Sequence, residues 1–375
     1  MTGRMKAGGG TTAPPDPEAL GAVPGGSGTP GSGGMDELER HRIALTGYCY
    51  RMLGSPFEAE DAVQETLVRA WRSLDRFDGS RAPLRSWLHA IATNVCLDML
   101  RGARRRARAI DLGPAARAGS DLGAPLPESA FVQPVPDGRV LPAGGDPAEL
   151  AAQRDTIRLA FVAALQHLPP RQRAVLILRD VLCWKADEVA RLLDTTVASV
   201  TSALQRARAT MRTLSAAPAA STAPAACAGP GEPYLPMDRA RRRLLARYCD
   251  AFERYDVEAL VALLHEDAVT SMPPFPWWLR GRAAIRRMLL AAGRPCAGTR
   301  LVAATANGSP AFAQYRPTGP GGGLEPFALV VVAVSGDLIT ELTTYLDADR
   351  LFPLFGLPAV LEAEVAFPGD SPDGR

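Results

Sequence analysis

Between Leu88 and Leu100 the apolar positions fall at Leu88, Ile91, Ala92, Val95, Leu97 and Leu100. That spacing of three and four predicts a buried helix and excludes an alternating strand. The same rhythm fills the chain from about Asp36 to Arg108 and again from about Pro147 to Leu214. Within the second stretch it predicts two short amphipathic helices, one from Lys185 to Leu193 and one from Val197 to Met211, around a turn at Asp194, Thr195 and Thr196. The first would bury Val189, Leu192 and Leu193. The second would bury Val197, Val200, Leu204, Ala207 and Met211. Its opposite face presents Ser199, Thr201, Ser202, Gln205, Arg206 and Arg208.

The pattern changes after residue 236. A helix is expected from Asp238 to Leu264, a strand from Ala268 to Met272 and a helix after Gly281. Strand-like runs follow at Thr299–Ala306, Ala311–Arg316, Phe327–Val334 and Leu338–Leu346, with turn signals at Asn307-Gly308 and Gly336-Asp337. Between the patterned blocks lie segments rich in Gly, Pro and Ala: a disordered tail over 1–34, a flexible linker over 109–147, a second linker over 215–236 and a tail over 368–375. The predicted fold class is multidomain, with two all-α helical domains over 35–108 and 148–214 and an α+β domain over 237–367. Met35, where the pattern begins, is the expected biological start.

A chain of 375 residues suits two or three domains. Its formal net charge is only +2, so any nucleic-acid surface must be a local patch. Lys6 and Lys185 are the only lysines, and the phosphate-facing cations are therefore forked guanidiniums. Six cysteines, at 49, 96, 183, 227, 249 and 296, form no C-x-x-C pair. They read as buried free thiols in a reducing compartment, and not as disulfides or zinc ligands. No apolar run approaches the ~20 residues that span a bilayer. The N-terminus lacks the hydrophobic stretch of a secretion signal, so the expected location is cytoplasmic.

These features narrow the chemistry. The helix that starts at Leu88 carries Arg101, Arg104, Arg105, Arg106 and Arg108 at its end, either a solvated end or a surface for phosphates. The helix pair at 185–211 is either a plain hairpin or a helix-turn-helix, whose hydroxyls, amide and arginines suit a major groove. No phosphate-binding G-x-x-x-x-G-K-[ST], no H-E-x-x-H and no nucleophile elbow occur, and no cofactor or metal is expected.

The segment LPPRQRAVLILRDVLCWKADEVARLLDTTVASVTSALQRARATMR resembles region 4 of a sigma-70-type factor of the extracytoplasmic-function group. Independently, YRMLGSPFEAEDAVQETLVRAWRSLDRFDGSRAPLRSWLHAIATNVCLDMLR resembles region 2, through Asp61 to Glu65, Ala70-Trp71, Phe77, Ser86-Trp87-Leu88, Ile91-Ala92, Asn94 and Asp98. The resemblance implies a transcription-initiation subunit that binds core RNA polymerase through the β′ clamp helices and the β flap, and promoter DNA. It puts Asp61, Gln64 and Glu65 on the clamp. It assigns Asp78, Gly79, Ser80 and Arg81 of the DGSRAP loop to a flipped −10 base. Asn94, Asp98, Arg101, Arg104 and Arg105 would face −10 DNA, and Ser199, Thr201, Ser202, Gln205, Arg206 and Arg208 the −35 element. The arginines from 104 to 108 would lie on phosphates. Trp71 and Trp87 are assigned to the core. The 109–147 linker could reach ~120 Å, while promoter elements one to two helical turns apart need ~35–70 Å.

The last block resembles a SnoaL-like domain, a cone-shaped α+β barrel, through Tyr248, Phe252, Asp256, Leu260, Leu263, Asp267, Gly281 and Ile285. Together with MPPFPWW this resembles the sigma-G-like subgroup. Met272, Phe275, Trp277 and Trp278 could line a pocket. His265, Glu266, Asp267, Arg280 and Arg282 are the polar groups nearby, with His265 to Asp267 expected at a helix end. The domain is expected to modulate the activity of the sigma regions as a binding module without catalysis, and a small-molecule ligand and an anti-sigma partner are open. Two rival functions remain: a ligand-sensing helix-turn-helix regulator, and a SnoaL-like enzyme with a DNA-binding appendage.

Overall fold

The structure is a computed structural model that describes residues 32–80, 82–103, 105–144, 146–216, 239–292, 296–319 and 323–361. The expected tails over 1–34 and 368–375, most of the 215–236 linker, Cys227, Arg81 and Arg104 lie outside the described residues, apart from 32–34.

The first block is built from α1 (Ser32–Glu39), α2 (Arg42–Leu53), α3 (Pro56–Arg72) and α4 (Leu84–Met99). Two sequence signals set the α2–α3 corner. Gly54 closes α2 in the left-handed region at φ 75°, and its N–H returns to the Tyr50 carbonyl. Ser55 then caps α3, accepting from the Glu58 N–H, with Pro56 in the first turn. The helix predicted through the arginine cluster stops at Met99; Gly102, at φ 76°, ends any continuation.

Residues 109–147, expected as a flexible linker, are not a free tether. Single turns at Ala109–Asp111 and Glu128–Ala130 and the short α5 (Asp137–Val140) punctuate the segment. Its backbone bonds go to partners distant in sequence. Ala107 and Phe131 form a parallel bridge. The Gln133 N–H donates to the Gly54 carbonyl at 3.0 Å, and the Tyr50 hydroxyl donates to the Gln133 carbonyl at 2.8 Å.

The second block comprises α6 (Pro147–Asp155), α7 (Leu159–Leu165), α8 (Pro170–Leu176), which runs on into a wider turn at Ile177–Val181, then α9 (Ala186–Leu192) and α10 (Val197–Ala216). Asp194, at φ 48°, makes the turn between the last two. Val200, Leu204 and Ala207 are buried as the spacing predicts, and Met211 is partly buried. Val197 is 47% exposed, against expectation. It opens the helix, before the chain reaches the core.

The two helical blocks share one hydrophobic core, running from Leu38 in α1 to Ala207 in α10. Trp184 is its inter-block anchor. The indole is 2% exposed, lies 5.1 Å from the His89 ring of α4, and carries the Arg85 guanidinium 5.0 Å above it. Polar groups of the second block also finish α2. Arg173 of α8 donates to the Met52 carbonyl, and Gln166 Nε2 to the Arg51 carbonyl at 3.3 Å. Those are last-turn acceptors with no partner inside their own helix.

Burial holds the His89 imidazole well below its usual value, at about 4, against an opposing hydrogen bond to the Arg85 carbonyl; Arg85 and His41 add like-charge repulsion. Above pH 6.5 the ring is neutral folded and unfolded. Between 6.5 and 4 the unfolded chain binds a proton that the buried ring refuses, so stability falls with pH, by about 3 kcal/mol in total. Urea midpoints measured from pH 7.5 to 4.5 should drop accordingly. His89→Gln should flatten that decline; an unchanged slope would show that the ring is not the titrating group.

The C-terminal block contains α11 (Arg239–Glu253), α12 (Val257–Ala262), β1 (Leu264–Ser271), β2 (Trp278–Arg280), α13 (Arg282–Ala291), β3 (Arg300–Ala306), β4 (Ser309–Pro317), β5 (Leu324–Ser335), β6 (Leu338–Tyr345) and α14 (Ala348–Leu354). The single helix expected over 238–264 is broken at Tyr255, φ 54°, and restarted by the Asp256 cap. The sheet order is β2-β1-β6-β5-β4-β3, antiparallel except for β1 with β6. One face closes over Tyr248, Leu263, Trp277, Phe312 and Val332. The other, around Ala306, Val331, Tyr345 and Leu351, packs on α14 and also on Phe57 of α3 and Leu159 of α7.

Candidate nucleic-acid interface

Helix α3 buries Ala59, Ala62, Val63, Thr66, Leu67 and Ala70. Helical spacing therefore leaves Asp61, Gln64 and Glu65 on the outer side. Asp61 and Gln64 are exposed, and Glu65 accepts from Arg69 Nε at 2.6 Å. This is an acidic and amide-bearing face on a rigid helix, suited to docking on a basic partner.

The loop after α3 is organised by Asp78. Its carboxylate accepts from the Ser80 hydroxyl at 2.6 Å and from the Ser80 N–H at 3.0 Å, and these bonds hold its pKa below the ordinary carboxylate range. Asp78, Gly79 and Ser80 are exposed. Beside the loop, Phe77 stacks on Trp87 with centroids 4.9 Å apart. Trp71 and Trp87 are partly buried against the core, as expected, and Trp87 is also one wall of an open groove of about 380 Å³, completed by Arg69, Arg72, Ser73, Ile91 and Asn94. An indole wall, an amide and two guanidiniums can stack, read and neutralise a nucleotide. Arg69, Arg72 and Ser73 were not among the residues that the sequence pointed to. Their signal was two cations three residues apart at a helix C-terminus, one turn before Phe77.

Asn94 and Asp98 are exposed on α4. Arg101 lies beyond the helix and pairs with Asp98 at 3.3 Å. Arg105 is exposed, its guanidinium 2.5 Å from His167 Nδ1. The expectation that the whole cluster lies on phosphates fails for two members. Arg106 is 6% exposed and is consumed by the Glu58 carboxylate and the carbonyls of Glu128 and Phe131. Arg108 is held by Asp111 at 3.3 Å. Arg106 thereby fastens the 109–147 segment to the first block, while Arg108 closes a local turn with Asp111.

On α10, Ser199, Thr201, Gln205, Arg206 and Arg208 are exposed and Ser202 is half-buried. Arg206 is braced by the Ser202 hydroxyl at 2.6 Å. Thr201 donates to the Val197 carbonyl at 2.9 Å. Arg208 is engaged by Asp180 through two bonds of 2.9 and 2.7 Å, which leaves Gln205 and Arg206 the more available readers.

The four aromatic and sulfur side chains suggested as a pocket do not share a site. Met272, Phe275 and Trp277 belong to the barrel core. Trp278 faces the other way, among Ala109, Ile110, Phe131 and Val269, and donates from Nε1 to the Gly113 carbonyl at 2.9 Å. His265, Glu266 and Asp267 lie on β1 and not at a helix end, and all three are exposed. Asp267 reaches Arg280 at 3.8 Å, and Arg282 is exposed on α13. Cys49 and Cys96 are buried, Cys249 and Cys296 half-buried and Cys183 exposed, all as free thiols. Among the described residues no cluster could hold a metal ion, and no helix is long and apolar enough to cross a membrane.

The C-terminal block meets the helical blocks through a junction that the sequence did not announce. Asn307, fully buried at the β3–β4 turn, accepts from the Val135 N–H at 2.9 Å. Its amide nitrogen donates to the Tyr50 hydroxyl and to the Ile157 carbonyl, both at 2.6 Å. Three segments of the helical part thus converge on one side chain. Next to it the Gly308 N–H donates to Asp137 at 2.8 Å, and a Cβ at Gly308 would stand 3.0 Å from the Arg154 carbonyl oxygen. Arg350 of α14 lies 4.1 Å above the Phe57 ring and pairs with Glu128.

Comparison with known proteins agrees with this division. The sigma-70 region 2 model matches residues 38–106, the sigma-70 region 4 model residues 158–211, and the SnoaL-like domain model residues 245–342. The ECF RNA polymerase sigma factor SigG of Mycobacterium tuberculosis is 44% identical over 326 residues, covering 85% of this chain and 82% of SigG. SigJ of the same organism is 30% identical over 233 residues, 62% of each chain. The crystal structure of SigJ shares the fold, with a TM-score of 0.53 at 22% identity over 86% of this chain and 99% of that one. With regions 2 and 4 in order and a SnoaL-like domain behind them, the chain belongs to the extracytoplasmic-function sigma factors of RNA polymerase.

Proposed function

We propose that this chain gives core RNA polymerase its promoter specificity, docking through the Asp61, Gln64 and Glu65 face, and acts in the cytoplasm. The −10 element is read by the 78–83 loop, the Trp87–Asn94 groove and Asn94, Asp98 and Arg101 of α4 with its following turn. The −35 element is read by Gln205 and Arg206, with Ser199, Thr201 and Ser202 beside them. The chain is an initiation factor and not an enzyme. The C-terminal domain sets how readily regions 2 and 4 engage, through contact and not chemistry. The observation that carries the reading is the pairing, in one chain, of an aromatic, amide and arginine groove in region 2 with an exposed polar face on α10. Run-off transcription with core enzyme and a promoter library tests it: specific transcripts should appear only when the chain is added. Arg206→Ala should cost ~1–3 kcal/mol of discrimination at the −35 element and leave −10 preference unchanged. Transcripts no more specific than those of core enzyme alone would overturn the assignment.

A further inference from the structure

Helix α11 opens the C-terminal domain with RARRRLLAR. Leu244, Leu245, Tyr248 and Ala251 are buried in the barrel. Arg239, Arg242, Arg243 and Arg247 are exposed, and their spacing of three, four and eight residues puts them along one side of the helix. No acidic residue occurs between Arg239 and Cys249; the first, Asp250, is taken by Arg254 at 2.5 Å. The neighbouring helices differ. On α13, Arg286 is neutralised by Glu258 of α12 at 2.5 Å. The stripe also sits on the wrong end of its helix, since N-terminal turns disfavour positive charge and like charges three and four apart repel. The two carboxylates farther along the same helix side are committed elsewhere, Asp250 to Arg254 and Glu253 to the Leu301 N–H at 2.9 Å, and a row of guanidiniums fixed on the domain is complementary to a polyanion.

We infer that this stripe is a third DNA contact, made by the SnoaL-like domain to the phosphate backbone upstream of the −35 element. The inference rests on the promoter-reading function proposed above. Its geometry follows from the chain. α10 ends at Ala216 and α11 begins at Arg239, so a connection of this length reaches at most ~75 Å, about two turns of duplex. With α10 in the major groove at −35, the DNA within reach on its outer side is the upstream flank. The stripe itself is about 12 Å long, and duplex DNA presents one charge per ~1.7 Å. It reads no base; it adds affinity and salt dependence.

The test uses holoenzyme assembled from core polymerase and the full chain. Two promoter duplexes are compared, one ending at the −35 element and one carrying about three further helical turns upstream. Arg239, Arg242, Arg243 and Arg247 are replaced together by Gln, an exposed change that leaves the buried face of α11 intact. Every arginine withdrawn from a phosphate lowers the slope of log affinity against log salt by about 0.9. The variant should therefore be shallower by about 3.6 on the long duplex and identical to the unaltered chain on the short one. Its backbone footprint should also retreat from the upstream flank. Equal slopes for both proteins on both duplexes would overturn the inference and leave the stripe to an acidic protein. So would an equal drop in slope on the short duplex. Specific transcription from the short template checks the promoter-reading function separately: if it persists while the slopes agree, only the third contact falls.

Discussion

Asn307→Ala should uncouple the C-terminal domain from the sigma regions. The side chain serves the Val135 N–H, the Tyr50 hydroxyl and the Ile157 carbonyl in a place with no access to water. Alanine leaves the Val135 N–H and the Ile157 carbonyl without a partner, while the Tyr50 hydroxyl loses a donor but keeps the Gln133 carbonyl; buried unsatisfied groups cost ~1–3 kcal/mol each. It also has to occupy φ 56°, where Asn is tolerated and Ala is strained by roughly 1 kcal/mol. Summed with allowance for relaxation, the junction should lose about 3–5 kcal/mol. Hydrogen exchange at the Val135 amide would then quicken roughly 100- to 5000-fold. Tyr50→Phe removes one arm of the same network, so the double variant should fall short of additivity by ~0.5–3 kcal/mol. Transcriptional output of the Asn307→Ala chain should move toward that of a chain cut after Ala216, whichever direction that truncation takes. An output that stays at the full-length level, with Val135 freely exchanging, would show that docking at this junction does not set activity.

The same residues show what the sequence could and could not disclose. Asn307-Gly308 was legible as a two-residue hairpin turn, because Asn and Gly accept the positive φ that such a turn needs. Its second use was not legible, since every partner of Asn307 lies at least 150 residues away. The buried stripe of α10 was readable because Val200, Leu204 and Ala207 follow the helical period. The path of 109–147 was not: Gly, Pro and Ala carry no period, and the segment is ordered by tertiary bonds such as Gln133 to Gly54. Arg106 looked like a phosphate contact because an arginine cluster reads as solvated; only Glu58 and two distant carbonyls show it to be interior. Trp277 and Trp278 part company where the chain becomes extended, one facing the barrel core and the other the 109–147 segment. Alternation predicts that opposition, but a three-residue strand following prolines gave no pattern to see.

Arg173→Leu should release region 4 from region 2 and leave the C-terminal domain folded. Arg173 is 4% exposed, and among the described residues no carboxylate pairs with it. Its guanidinium instead gathers the Met52 and Leu168 carbonyls and both the backbone and the side-chain oxygen of Gln166. Burial lowers its pKa to about 10, still well above neutrality, so the charge is kept and carbonyl dipoles supply the compensation. Leucine fills the space and removes the buried charge, which is a gain. It also strips four oxygens of their donor, including one that ends α2, which is the larger loss. The balance is about 2–4 kcal/mol against the closed arrangement. Amide exchange in α8 and around Trp184 should rise by roughly 30- to 1000-fold, while α13 and β4 keep their protection. Arg173→Lys, which retains a charge but not the fork, should fall between the two. If regions 2 and 4 must part to reach both promoter elements, the leucine variant should bind −35 duplex more tightly as free protein. Weaker or equal binding, with α8 deprotected, would mean that the closed pair does not restrain α10.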